Sequence, residues 1–97
     1  MMNYERETRS LLNRMIEKGF KLIEVYDGEE TIPVSTPEEA IKELMATDET
    51  YLIANTPDGD RVTLMLIYGN DPGELVANYT CNPLVDALVD EHYNSFG

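Results

Sequence analysis

At 97 residues the chain has room for one modest core in a single domain, residues 1–97, and none for a deep cleft with a separate lid. A hydrophobic content of 42% excludes wholesale disorder. Nineteen acidic residues against seven basic ones leave a net charge of −12; such a field attracts basic proteins over a Debye length of about 8 Å and disfavours direct nucleic-acid binding.

The charge is uneven. Residues 1–21 hold Arg6, Arg9, Arg14, Lys18 and Lys21 against Glu5, Glu7 and Glu17, so residues 22–97 carry −14, with Lys42 and Arg61 as their basic residues. Acidity of this kind also serves plain solubility. One cysteine, Cys81, cannot form an internal disulfide, which points to a reducing compartment. The opening MMNYERETRS is charged where a signal peptide needs an apolar run, and no apolar segment reaches membrane-spanning length. A cytoplasmic protein with no membrane association is expected.

In chain order, residues 3–18 form the first expected helix. Tyr4, Leu11, Leu12, Met15 and Ile16 fall on one face, and Gly19 stands where a helix-ending glycine belongs. FKLIEVY (Phe20–Tyr26) has strand composition, and Asp27-Gly28 is a turn dipeptide. Glu30 to Val34 suits a short extended segment, but Pro33 cannot donate to a ladder, so it is an edge strand or no strand. Thr36-Pro37-Glu38-Glu39 is a capping box that starts a helix reaching about Ala46, with Ala40, Ile41, Leu44 and Met45 inward.

TYLIANT and RVTLMLIY flank Pro57-Asp58-Gly59-Asp60, a β-hairpin pattern. Gly69-Asn70-Asp71-Pro72-Gly73 is a second turn. A strand from Leu75 to Thr80 follows, in competition with a short helix begun by Asp71-Pro72. Asn82-Pro83 opens a last helix bearing Leu84, Val85, Leu88 and Val89. The expected fold is α+β, an antiparallel sheet with helices packed on it and covering one face, in the order α-β-α-β-β-β-α. Both faces of residues 62–68 are apolar. Helices on both sides are the commoner cause of such a pattern; an exposed pocket on the second face is the other.

Catalytic machinery is not expected. His92 lies on a polar stretch and reads as a solvated surface residue. Cys81 reads as a small buried or half-buried thiol with no histidine near it in sequence. Asp58-Gly59-Asp60 is explained by turn chemistry and lacks the rest of a calcium loop. Asp86, Asp90 and Glu91 read as a solvated helix face rather than a metal site. With no Gly-rich phosphate loop either, no enzyme activity, metal or cofactor is implied, and protein binding is the remaining class.

Glu30-Thr31-Ile32, followed by Pro37-Glu38-Glu39 at the head of an apolar-faced helix, resembles the bacteriophage uracil-DNA glycosylase inhibitors. In that family a Glu-Ser-Ile edge segment precedes a Pro-Glu-Glu helix start. The element order is similar, and LMLIYGNDPGEL resembles the family's apolar strand and acidic turn, over residues 11–75. The resemblance implies a DNA mimic: an acidic edge fills the phosphate-binding groove of a host DNA-binding enzyme, and an apolar pocket receives the side chain that the enzyme inserts into duplex DNA.

On this chain Glu29, Glu30, Thr31 and Ile32 would supply the edge and Glu39 a functional carboxylate. Val34, Ala40, Leu44, Met65 and Ile67 would line the pocket, where the flexible thioether of Met65 suits an inserted side chain. Thr31 stands where the family has serine, and Pro33 and one further residue separate the edge from the helix. The C-terminal helix has no family counterpart. VYDGEE and YGNDPGELVANYT also resemble small acidic proteins encoded by phages and plasmids. Alternative expectations are therefore an inhibitor of another host defence nuclease, of the restriction or CRISPR type, or a phage or plasmid interaction module without inhibitory action.

Overall fold

Backbone chemistry ends the first helix at the glycine that the sequence marks. The structure, a computed structural model, describes residues 4–44, 49–67 and 75–96. Helix α1 spans Tyr4–Glu17. Gly19, at φ 91°, turns the chain out of it: the Gly19 amide donates to the Ile16 carbonyl at 3.0 Å and the Phe20 amide to Met15 at 2.9 Å. These two bonds form a Schellman motif and satisfy carbonyls that the helix leaves open.

Strand β1 (Lys21–Tyr26) then turns tightly into β2 (Thr31–Pro33). The Asp27 carboxylate accepts the amides of Glu29 and Glu30 at 2.9 and 2.8 Å, and Gly28 supplies a positive φ of 102°. Helix α2 (Pro37–Leu44) follows with its capping box formed: the Glu39 amide donates to Thr36 Oγ1 at 3.3 Å while Glu39 Oε1 accepts the Thr36 amide. The expected continuation to Ala46 with Met45 inward lies outside the described residues, as does the turn at 69–73.

Strands β3 (Glu49–Asn55) and β4 (Arg61–Ile67) form the expected hairpin, closed by Thr56 and Asp60. β5 is a strand, Val76–Tyr79, and α3 runs Pro83–Phe96 from an Asn82 cap whose Oδ1 accepts the Leu84 amide at 2.8 Å. The result is an α+β fold: one five-stranded antiparallel sheet of order β2-β1-β3-β4-β5.

Pairing alternates the strand faces. Val25, Leu52 and Leu64 share a row, as do Thr50, Leu66 and Val76, and all are buried. A bulge at Ile23 breaks the β1–β3 register, which lets both Leu22 and Val25 point inward although three residues apart. Against this face lie Leu11, Leu12 and Met15 of α1, Ala40, Ile41 and Leu44 of α2, and Val85, Leu88 and Val89 of α3, in one continuous core. Each large side chain removed from water there contributes roughly 1.5–3 kcal/mol before entropy is counted.

All three helices therefore cover the same face. Of the two causes considered for the apolar second face of β4, helices on both sides is the one not found: among the described residues no helix packs on that face, and Met65 and Ile67 on it are half-buried. Ile16 is also corrected. It lies about 100° around α1 from Met15 and is 43% exposed, whereas Glu7 and Thr8 take buried positions on the inward side.

The sheet ends are both blunted. The Val34 amide donates to Ile23 and the Asp27 amide to Glu30, so alternation aims the backbone of Thr31 and Pro33 at the free edge, where proline carries no donor. At the other end the Tyr93 hydroxyl donates to the Val76 carbonyl.

Candidate functional site

Three places gather the functional candidates: the acidic β1–β2 hairpin, the open sheet face beside it, and a polar clasp among the helices. In the hairpin Glu29, Glu30 and Thr31 are exposed, and the two glutamates have no ion-pair partner among the described residues. Their conformation is fixed by backbone bonds to Asp27, whose carboxyl is held below its usual range, first by the Glu30 amide and then by the Glu29 amide. Ile32 faces the helices, because it pairs with the buried Val25. It is half-buried at the rim of the core rather than displayed on the edge.

Glu39 follows directly. Its Oε1 accepts the Ser35 amide at 2.9 Å, the Ser35 hydroxyl at 3.0 Å and the Thr36 amide at 3.3 Å. These donors, led by the Ser35 amide, hold its carboxyl low. One oxygen thus serves the helix start, on a side chain that remains exposed.

The five residues expected to line one pocket do not come together. Val34, Ala40 and Leu44 are buried in the core under α2. Met65 pairs with Tyr51, and Ile67 with Glu49, on the opposite face. The physical reason is the two-residue period of β4, which sends Leu64 and Leu66 to the helices and Met65 and Ile67 away from them.

On that open face, register places Thr31, Tyr26, Tyr51, Met65 and Asn78 in one row across all five strands. Tyr26 is 39% exposed, and its ring lies 5.9 Å from that of Tyr51 at a tilt of 38°. In the next row Ile53 is 7% exposed, between half-buried Tyr51, Asn55 and Thr63 on the same face. The Arg61–Glu24 ion pair, 2.8 Å long, spans β3 above it. Toward β5 the face sinks into a shallow depression of about 260 Å³ lined by Tyr51, Thr63, Met65, Asn78, Tyr79 and Thr80. Of these, sequence reasoning singled out Met65 alone. The signal for Tyr51 was present, since Tyr51, Ile53 and Asn55 alternate with the core residues Leu52 and Ala54 in the same phase as Met65.

The clasp corrects one expectation. His92 is 0% exposed rather than solvated; Val85, Leu88, Val89 and His92 make one inward stripe of α3. Its Nε2 lies 2.8 Å from Glu7 Oε2, also buried. A histidine–carboxylate pair so sealed holds α1 to α3 and meets no substrate from solvent. Glu91 lies on an exposed helix face, as expected, and from there receives both Lys18 and Arg14 of α1, the latter at 3.2 Å. Lys18 foremost, then Arg14, lowers its carboxyl below the usual range. Arg9 joins Glu38 of α2 and, at 3.3 Å, Glu5. Cys81 is exposed, not buried, because it lies between the end of β5 and the Asn82 cap. Among the described residues no group of three His, Cys, Asp or Glu side chains is placed to hold a metal ion, and no helix is long and apolar enough to cross a membrane.

No protein-family model, curated protein or solved structure matches the chain.

Proposed function

We propose that this protein is a non-enzymatic inhibitor that presents its acidic β1–β2 hairpin to the basic, phosphate-binding groove of a host DNA-binding enzyme, as a DNA mimic. Uracil-DNA glycosylase is the most specific candidate, from the resemblance carried by Glu30-Thr31-Ile32 and Pro37-Glu38-Glu39. The observation that carries this reading is the division of charge. Four of the seven basic residues, Arg9, Arg14, Lys18 and Arg61, are each tied to a carboxylate of the chain, while Glu29 and Glu30, held on a turn by their amides' bonds to Asp27, have no ion-pair partner among the described residues. Unanswered carboxylates on a fixed edge suit a partner that carries its own lysines and arginines. The open face next to the hairpin, rather than a pocket between helix and sheet, supplies the apolar part of the contact. The lone, exposed Cys81 fits a reducing cytoplasm.

The test is a glycosylase assay with purified protein. Inhibition is expected, weakening as salt rises because exposed charge pairs are screened; the double change Glu29→Gln, Glu30→Gln is expected to weaken it roughly tenfold. Full glycosylase activity at micromolar excess of the protein would overturn the glycosylase target. Capture from bacterial lysate then identifies whether a restriction or CRISPR nuclease takes its place.

A further inference from the structure

We propose that the depression on the open sheet face is an arginine-binding site, the point at which a basic partner protein seats one arginine side chain. This rests on the partner-binding reading above and names the chemistry of its contact. The depression, about 260 Å³, is smaller than the roughly 300–1,000 Å³ of small-molecule and cofactor sites, and it suits a single long side chain.

Its lining distinguishes arginine from other occupants. The Tyr51 ring offers a π face on which a planar guanidinium stacks, a contact that the compact ammonium of lysine makes less well. Met65, beside it in the row, offers a polarizable thioether surface to an aliphatic stem. The Tyr51 hydroxyl donates to Glu49 Oε2 at 3.4 Å, so a carboxylate stands at the outer end of the ring, placed to attract a cation. Tyr26, tilted against Tyr51, holds that ring from the side away from the depression. The chain's own cations on this face lie apart from the depression: Arg61 is bound to Glu24, and Lys21 shares the Asn55–Arg61 row at the far end of the sheet face.

Charge complementarity selects the class of partner. A second copy would bring another −12 against this face, and nucleic acid, although its bases would stack on Tyr51, brings phosphates into the same repulsion. A basic protein segment gains from both the ring and the field.

The experiment is an NMR titration of the whole chain with a short acetylated arginine–glycine peptide and its lysine–glycine counterpart of equal charge. The arginine peptide is expected to move the Met65 methyl and the amides of Tyr51, Thr63 and Asn78, and to bind about fivefold more tightly than the lysine peptide. Tyr51→Leu is expected to abolish that preference and Tyr51→Phe to keep it; the two peptides on the native chain decide the matter even where a variant fails to fold. Equal affinity for the two peptides, shifts confined to residues 27–31, or self-association through this face would overturn the proposal. Arginine selectivity without glycosylase inhibition overturns the enzyme target and leaves this site standing. Inhibition unchanged by Tyr51→Leu does the reverse.

Discussion

Along α1, Arg9 reaches Glu38 of α2, while Arg14 and Lys18 close on Glu91 of α3. Along the β1–β2 hairpin, Glu29 and Glu30 stand on a tight turn with no ion-pair partner among the described residues. The helices use charge to hold the fold together, with the buried Glu7–His92 pair at the centre and partly exposed bridges around it. The hairpin uses backbone bonds and one aspartate to hold its shape, and its glutamates contribute nothing visible to it. Exposed bridges are individually weak, so the stability of the clasp rests mainly on its buried pair and the apolar stripes beside it. Acids that no fold contact consumes are the ones free for a partner.

Removing His92 breaks the comparison most severely. His92→Ala takes the imidazole from a buried carboxylate and opens a cavity between α1 and α3, and is expected to cost about 3–5 kcal/mol, read as a fall in the urea midpoint. A loss below about 1 kcal/mol would show that the clasp does not depend on the pair. Next comes the junction between the regions, the capping box of α2. Thr36→Ala is expected to cost about 1 kcal/mol.

Its partner Glu39 gives the same junction a pH signature. The Ser35 and Thr36 donors depress its folded-state pKa below 4.5, so its contribution is fully present above the unfolded value and is lost as pH falls through the folded one. Urea midpoints of the native chain and Glu39→Gln are expected to differ at neutral pH and to converge as pH falls through the lowered folded-state value. A gap that persists in acid would assign the effect to packing instead of charge. The smallest effect belongs to the hairpin: Glu29→Gln with Glu30→Gln is expected to leave stability within about 0.5 kcal/mol. A larger thermal shift would place those glutamates with the fold-holding set and erase the distinction.

Features with local causes were legible in the sequence. The Gly19 helix stop, the Thr36–Glu39 box, the Asn82-Pro83 start and the Asp58-Gly59 hairpin each depend on residues within a few positions, and each lies where the sequence places it. Errors arose where the answer depends on what is opposite. His92 reads as solvated from its polar neighbours in sequence, whereas its angular position on α3 buries it, and Ile16 sits at the margin of a face drawn too wide. The five-residue pocket combined residues that register separates, since it paired the core side of α2 with the outward phase of β4. Glu29, Glu30 and Thr31 were found as an exposed edge because charge and a proline announce one. Tyr26, Tyr51 and Asn78 were not, because only the pairing of five strands lines them up.

Pro33 has one more consequence, for how anything can recognise this protein. A free strand edge ordinarily invites another chain to extend the sheet through main-chain bonds, the commonest unspecific way for β proteins to associate. Here the donor that such a strand would need is missing at Pro33, and at the far rim the Val76 carbonyl is already taken by Tyr93. The hairpin side thus offers an incomplete backbone template, in which Thr31 keeps donor and acceptor but Pro33 only its carbonyl, so a ligand there leans more on side chains. Recognition by charge and shape is thereby separated from generic stickiness, which is what a protein bearing uncovered aromatic surface needs in order to stay selective.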